Sequence, residues 1–480
     1  MRGKSNAISK GIYKAIGIFG GTQVLTILCS IVRTKLVSVW IGPVGMGLFG
    51  LYNSAVDMIN VLSNMGLRTS CVRDISLANS SGNISRVAEV VRIVRRWSWC
   101  MGLVWGVIMM LMSPVLSRVS FGDTDHAWAF VALSVSVMAF SIMSCEQAVL
   151  QGSQRLKLLA KSAVWGNFVG LTVSIPMFYL WGVDSVVPTI ITYSLSCLLC
   201  VLYFRNRDFD GKARDITVRD TVRGGAEFVK FGICITISTF ASLLVSYIFM
   251  AYLNHKSGEA TVGLYQAGYA LINRYSELLF SSIAMEFYPR LTGVSVSRMR
   301  MRVFVEQEAH ISLYIIVPVV LLFMIFREII VGLLYSDEFY AMIPFISWCM
   351  VGIVFKGVSW CIAFVMLARG ESKLFLLTES ISAVLCLTLN ITFYELWGLD
   401  GLGVSYTVWY LLYLLMVGVV YVRRFGMRLH RSLVTHTAYA TAMAVAALWA
   451  VSEGHYVELF LLAAAAIAVS IVKIRKSVGK

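Results

Sequence analysis

Apolar runs of about 20 residues recur along the whole chain, separated by short polar stretches. A helix rises about 1.5 Å per residue, so a run of this length crosses a hydrocarbon core of roughly 30 Å. With 58% hydrophobic and only 14% charged residues, the chain carries more apolar side chain than a soluble domain could cover. We therefore predict an all-α integral membrane protein with about fourteen transmembrane helices. The predicted spans are 12–38, 46–68, 94–117, 127–150, 162–181, 184–204, 228–252, 262–286, 309–334, 342–368, 374–396, 400–422, 433–451 and 457–472.

The distribution of Lys and Arg predicts how these spans are oriented. The formal net charge of +15 would suggest a nucleic-acid partner in a soluble protein. The two termini and alternate connections, however, hold 34 of the 41 Lys and Arg residues. Positively charged connections stay in the cytoplasm, which predicts that both termini are cytoplasmic. The charge therefore needs no nucleic acid, and the basic connections suit anionic membrane lipids.

A repeated stretch relates the two halves of the chain. FYLWGVD at 178–184 and FYELWGLD at 393–400 place Trp181 and Trp397 216 positions apart. GLF at 47–49 and GLY at 263–265 match at the same offset. Because an even number of spans separates the copies, both have the same orientation, as in transporters built from parallel repeats.

The offset predicts the domain organisation. An N-terminal six-helix lobe covers 1–204, and a charged cytoplasmic connector covers 205–227. A second six-helix lobe covers 228–432, and an additional helix pair at 433–480 lies outside the repeat.

Charged residues in the middle of spans are the candidate functional residues, because each costs about 2.5–3.5 kcal/mol at the bilayer centre unless it faces water or a partner. Four such residues are Asp57, Arg274, Glu277 and Lys356. Arg274 and Glu277 are three positions apart, so they could neutralise one another, or Arg274 could bind a diphosphate with Glu277 as its resting counter-ion. Lys356 has no acid within one turn of its helix and is the strongest candidate for a cation facing a cavity. Asp57 could couple transport to a proton or sodium ion, or only fix Arg274.

Twelve spans in two bundles plus two more, opening with IVRTKLVSVWIGPVGMGLFGLYNS at 31–54, resemble a known family. They are similar to the oligosaccharide flippases (Wzx-type O-antigen translocases) of the multidrug/oligosaccharidyl-lipid/polysaccharide (MOP) exporter superfamily. The resemblance implies a MATE/MurJ-like fold with two lobes around a central cavity that opens alternately to each side of the bacterial inner membrane. It implies a lipid-linked oligosaccharide as cargo, usually on undecaprenyl diphosphate. It also names a polysaccharide polymerase and a chain-length regulator as candidate partners.

The same resemblance adds Arg33 to the candidate residues. In the related lipid II flippases, an arginine of the first helix stands nine residues before the glycine that closes the helix, and Arg33 stands nine residues before Gly42. From the residues alone, Arg33 could instead reach the outer interface with its long side chain. The predicted substrate-binding residues are therefore Arg33, Arg274 and Lys356, and the predicted coupling or counter-ion residues are Asp57 and Glu277.

Two other functions remain as alternatives. A multidrug exporter of the same superfamily would share the architecture, but an exporter of organic cations should have a net acidic cavity. A membrane glycan polymerase or glycosyltransferase would need a sizeable outer loop for its active site, whereas the longest outer connections have only about ten residues. Gly3, Lys4 and Ser5 lack the upstream glycine of a nucleotide-binding loop, and no hydrolytic motif is present. We therefore expect a transporter without enzymatic activity, cofactor or metal.

Overall fold

The computed structural model describes residues 2–80, 84–205, 218–294 and 297–478. Within these ranges the chain folds into α-helices with two short 3₁₀ turns and no strand, which confirms the predicted all-α class. Most of the predicted connector 205–227 lies outside the described residues, because residues 206–217 are not among them.

Twelve helices follow one another along the described chain. Their bounds are Arg2–Asn64 (α1), Leu67–Ser80 (α2), Ile84–Phe121 (α3), Ala127–Gly152 (α4), Leu156–Trp181 (α5), Val186–Tyr203 (α6), Val218–Gly293 (α7), Arg298–Leu334 (α8), Ile343–Ala368 (α9), Ser372–Arg423 (α10), Arg431–Ser452 (α11) and Tyr456–Val478 (α12). The 3₁₀ turns are Gly182–Ser185 and Asp337–Met342.

Glycines break the longest helices at positions related by the repeat. Gly42 in α1 has φ 60° and ψ −166°, and Gly258 in α7 has φ 80° and ψ 174°. Gly182 after α5 has φ 52° and ψ −128°, and Gly398 inside α10 has φ 59° and ψ −140°. Positive φ costs glycine little because it has no Cβ. Positions 216 apart therefore adopt the same turn, so the repeated residues encode repeated backbone geometry.

Helices long and apolar enough to cross a membrane account for most of the described chain. Nine such helical stretches are found among the described residues. Large apolar side chains on their outer surfaces are exposed, for example Leu111 at 75% and Trp128 at 80%. Exposed apolar surface on this scale suits contact with lipid rather than water. The protein is therefore a multi-pass membrane protein, while the number of fourteen crossings stays a prediction.

The chain forms two compact units, Met1–Gly263 and Leu264–Lys480. In the first unit, a buried cluster around Tyr52, Met109 and Phe130 joins α1, α3 and α4. In the second unit, α9 is buried on most of its surface and packs against α8, α10 and α11. The predicted lobe boundaries at 204 and 228 stay a prediction.

A buried ion pair ties α3 to α4 inside the first unit. Arg95 donates from Nε to Oε1 of Glu146 at 2.6 Å and from Nη2 to Oε2 at 3.0 Å. Glu146 is 3% exposed, so removal of the arginine would leave a buried charge without its partner. The pair therefore holds these two helices in one register.

Candidate functional site

A polar cavity of about 280 Å³ lies among the helices of the first unit. Its lining comes from α1, α4, α5 and α6, and more than half of the lining residues are polar or charged. These are Arg33, Asn53, Asp57, Asn60, Gln147, Ser162, Asn167, Thr189, Tyr193 and Ser194. So many polar groups inside membrane-spanning helices are costly unless they face water or a polar ligand.

Arg33 is held in this cavity by two aromatic rings. Its guanidinium carbon lies 4.6 Å from the ring centroid of Tyr193 and 5.1 Å from that of Phe49. Both distances are within the range of a cation–π interaction, which is stronger when the pair is shielded from water. The Tyr193 hydroxyl donates to Oδ1 of Asn167 at 2.6 Å, so the ring is itself fixed. The first half of α1 therefore turns Arg33 inward rather than toward the outer interface.

Asp57 lines the same cavity from the second half of α1. Asn53, Asp57 and Asn60 are spaced four and three positions apart, which places them on one helix face. The Asp57 side chain is exposed, and within the described ranges it forms no ion pair. Asn60 Oδ1 and Thr189 Oγ1, in residues of the cavity wall, are buried and have no hydrogen-bond partner in the described chain. These groups can accept or donate a hydrogen bond to a polar molecule inside the cavity.

Lys356 lies in the second unit, at the middle of α9. Its Nζ donates to the Tyr406 hydroxyl at 3.3 Å and lies 5.2 Å from the ring centroid of Tyr410. The side chain is only partly buried. Lys356 is thus oriented by aromatic partners from the second half of α10.

The partners of Lys356 belong to a row of tyrosines. Tyr406, Tyr410 and Tyr413 are spaced four and three positions apart and lie on one face of α10. The Tyr413 hydroxyl donates to Oε1 of Glu379 at 2.5 Å. Tyr406 and Tyr413 are buried and Tyr410 is half-buried, so the row packs inside the second unit and places aromatic rings and hydroxyls around Lys356.

Arg274 and Glu277 lie on α7 within the second unit, and both side chains are exposed. No ion pair joins them in the part of the chain that the structure describes. Glu277 lies near enough to Lys356 for their opposite charges to attract, but no ion pair joins these two residues among the described residues. Of the five predicted residues, Arg33 and Asp57 therefore share one cavity, and Arg274, Glu277 and Lys356 lie in the second unit.

Sequence reasoning missed the aromatic partners of both cations. Phe49 and Tyr193 hold Arg33, and Tyr406 and Tyr410 hold Lys356. The four-residue spacing of Tyr406 and Tyr410 was a readable signal. Phe49 and Tyr193 carry no such signal, because Phe49 reaches Arg33 across the bend of α1 at Gly42 and Tyr193 comes from α6, far along the chain.

Comparison with known proteins places these features in a family. Residues 36–344, more than half of the chain, match the family model described as "Polysaccharide biosynthesis protein". The chain is 20% identical to the lipid III flippase of Escherichia coli (strain K12) over 396 residues, which covers 79% of this chain and 90% of that protein. It is 18% identical to a putative O-antigen transporter of Shigella flexneri over 391 residues, covering 80% and 91%.

Solved structures support the same fold. The lipid II flippase MurJ in an inward closed conformation superposes with a TM-score of 0.69 at 11% identity, covering 96% of this chain and 99% of that one. An inward-facing MATE multidrug resistance transporter of the MOP superfamily superposes with a TM-score of 0.68 at 14% identity, covering 85% and 96%. These matches confirm the MATE/MurJ-like fold and the resemblance to MOP-superfamily flippases. The chain belongs to the polysaccharide biosynthesis protein family.

Proposed function

We propose that this protein is a flippase for an undecaprenyl-diphosphate-linked oligosaccharide repeat unit, of O-antigen or a related surface polysaccharide. It moves the unit from the cytoplasmic to the periplasmic leaflet by alternating access. The flippase and O-antigen transporter relatives support this cargo. The single observation that carries the proposal is the arginine-containing polar cavity inside membrane-spanning helices.

Arg33 suits a diphosphate better than it suits a structural role. A guanidinium offers a planar fork of N–H donors that pairs bidentately with phosphate oxygens. The Arg33 guanidinium carbon lies over the rings of Phe49 and Tyr193, which restrict how the side chain can turn. An arginine held in this way is already oriented, so binding an anion requires less loss of side-chain freedom.

The polar lining explains how a sugar head group could cross. Each unpaired hydroxyl or amide costs several kcal/mol in hydrocarbon, so a head group with many hydroxyls does not cross unaided. Asn60 and Thr189 present buried oxygens that have no hydrogen-bond partner among the described residues, and Asp57 presents an exposed carboxylate. The prenyl tail would remain in lipid while the head group exchanges hydrogen bonds with such groups.

The membrane potential favours transport of the cargo in one direction, out of the cytoplasm. A cell interior held negative favours outward movement of anions by about 2.3 kcal/mol per charge per 100 mV. A diphosphate with roughly two negative charges would gain about 5 kcal/mol at that potential. Transport therefore needs no ATPase, and the proposed activity is not enzymatic.

The remaining candidate residues receive roles within this proposal. Lys356 and Arg274 are further cations for the diphosphate or its sugars, and Glu277 is the resting counter-ion that leaves Lys356 when cargo binds. Asp57 either carries a coupling proton or sodium ion or balances the charge of Arg33. Exchange of Asp57 for Asn separates these two roles, because only the coupling role predicts loss of dependence on an imposed ion gradient.

We place the protein in the bacterial inner membrane with both termini in the cytoplasm. The lipid-linked oligosaccharide and membrane lipids are its direct partners, and a polysaccharide polymerase and a chain-length regulator are proposed as later partners in assembly. Labelling of cysteines introduced near each terminus, in intact and in permeabilised cells, tests the orientation.

A multidrug exporter is the second candidate, because Asp57 places an unpaired carboxylate in the cavity within the described chain. Arg33 in the same cavity opposes a cationic cargo. An exporter should move ethidium faster than protein-free liposomes do, whereas a flippase should not.

The decisive experiment uses the natural cargo. Deletion of the gene should cause the undecaprenyl-linked repeat unit to accumulate on the inner leaflet. That lipid, extracted from the deletion strain, is then placed in liposomes with or without the purified protein. A flippase makes the sugars of the inner leaflet accessible to periodate added outside. Equal rates with and without the protein would contradict the proposal.

A further inference from the structure

Two short stretches 216 positions apart share a glycine pattern that the proposed cargo site does not use. GPVGMG occupies 42–47 and GEATVG occupies 258–263, so each begins and ends with glycine. Gly42 and Gly258 break α1 and α7 with the same extended backbone at positive φ. Each stretch therefore starts a new helical segment at an equivalent position in the repeat.

These two helix starts contact one another inside the first unit, and the contact is reciprocal. A Cβ on Gly47 would lie 1.9 Å from the carbonyl oxygen of Glu259. A Cβ on Gly263 would lie 1.9 Å from the carbonyl oxygen of Pro43. Because Pro43 and Glu259 are also 216 positions apart, the contact has the pseudo-twofold symmetry of the repeat.

Only glycine permits this approach. Cβ atoms in proteins essentially never come within 3.0 Å of such an atom, so alanine at either position would force the backbones apart by about 1 Å. Small residues at helix contacts in membranes allow close backbone packing, with Cα–H groups directed at carbonyl oxygens. Gly47 and Gly263 themselves add no side chain to the contact, so separating the two backbones at these positions requires no repacking of either residue.

Hydrogen bonds hold the part of α7 that precedes Gly258 against the end of α3. The Tyr247 and Ser120 hydroxyls are 2.7 Å apart, and Asn254 Nδ2 donates to the Ser120 carbonyl at 2.8 Å. His255 Nε2 donates to the Val119 carbonyl, also at 2.8 Å. The segment before Gly258 is thus bound to the end of α3, and the glycine contact lies at the point where the chain turns away from it.

We propose that Gly47 and Gly263 form a two-sided lock, which holds these helix starts together while the protein is closed on its predicted periplasmic side. Its release is a step of each transport cycle. The link to a transport cycle rests on the proposed function, whereas the lock itself does not. Gly47 and Gly263 are on this view required for transport although neither contacts the cargo.

The test measures the separation of the two helix starts directly. Spin labels are attached to cysteines at the exposed position 44 and the half-buried position 260, one in each helix start, in a cysteine-free variant of the full chain reconstituted in liposomes. Without the Gly substitutions, the distance distribution should contain two populations, one short and one long. Gly47→Ala and Gly263→Ala should each reduce the short population at least tenfold and lower translocation of the extracted lipid-linked oligosaccharide by a similar factor.

Gly106→Ala is the matched control, because a Cβ there meets its nearest neighbour, the Ser134 carbonyl oxygen, at an ordinary 3.5 Å. It should retain both the short population and the transport rate. Retention of the short population in Gly47→Ala and Gly263→Ala would overturn the lock. A single distance population in the parent protein with and without cargo would also overturn it, and that measurement does not depend on how the alanine variants fold. The expected distance changes without any cargo movement by the parent protein would support the lock and refute the proposed function.

Discussion

The first and second units orient a membrane-buried cation in different ways. In the first unit the guanidinium of Arg33 lies over the rings of Phe49 and Tyr193, and the acid Asp57 lines the same cavity. In the second unit the ammonium of Lys356 donates to one tyrosine hydroxyl and lies over the ring of a second tyrosine.

This difference follows the chemistry of the two side chains. A guanidinium can stack on rings and still direct several donors outward in one plane, whereas an ammonium is a compact charge with three donors. The first arrangement suits bidentate contact with a diphosphate. The second suits contact with a single oxygen, beside the half-buried ring of Tyr410. The two units thus hold cations that suit different arrangements of oxygen atoms.

The largest expected effect comes from removal of the cations of the second unit. Lys356→Ala and Arg274→Ala should each reduce translocation to the rate of protein-free liposomes, because a desolvated contact to a charged group is lost. Both variants should insert normally, which size-exclusion chromatography of the solubilised protein checks. Lys161→Ala, at an exposed position near the N-terminal end of α5, is the control and should be unaffected. If both variants fully restored translocation in a strain that lacks the protein, the assignment of Lys356 and Arg274 to the substrate-binding site would be wrong.

Arg33 provides the corresponding test in the first unit. Arg33→Gln should slow translocation roughly 100-fold, the equivalent of about 3 kcal/mol for a lost charge-assisted contact. Arg33→Lys should retain part of the activity, because it keeps the charge but loses the planar fork. Arg118→Gln removes an exposed arginine from α3 and serves as the control. Equal activity of Arg33→Lys and the parent protein would show that charge alone matters and would remove the difference between the two units.

The aromatic support of Lys356 should have a smaller effect. Tyr410→Leu removes a ring whose cation–π interaction contributes about 1 kcal/mol, so translocation should fall about fivefold. Tyr410→Phe keeps the ring and should remain close to the parent rate. If translocation by Tyr410→Phe is as slow as translocation by Tyr410→Leu, the Tyr410 hydroxyl contacts the cargo. Tyr410 would then do more than orient Lys356.

The charged candidate residues could be selected from the sequence, whereas the side chains that contact them could not. Charges at mid-span are visible because they conflict with the apolar runs that contain them, and this conflict identified Asp57 and Lys356. The repeat offset was likewise visible, and the stretches that it relates contain the equivalent turns at Gly182 and Gly398. Both inferences depend on local composition or on spacing along the chain.

The partners of those charges could not be predicted in the same way. Phe49 and Tyr193 approach Arg33 only because α1 bends at Gly42 and α6 packs beside it, and apolar runs do not encode which helix faces meet. An aromatic residue in an apolar span is ordinary, so nothing marks it as a cation partner before the packing is known. The reciprocal contact of Gly47 and Gly263 could not be predicted for the same reason, although the sequence contains the matching glycines.

The smallest expected effect tests how far the first unit depends on a preset geometry. Tyr193→Phe keeps the ring face under Arg33 but removes the hydroxyl that donates to Asn167, a hydrogen bond with a net contribution of about 1 kcal/mol. The ring becomes less well fixed, so translocation should fall about threefold, far less than in Arg33→Gln, and an unchanged cargo affinity would assign the loss to orientation. Asn167→Leu removes the other partner of the same bond and should match it, since either change frees the same ring. If Tyr193→Phe were as damaging as Arg33→Gln, the tyrosine hydroxyl itself would bind the head group, and the first unit would then resemble the second in using hydroxyl and cation together.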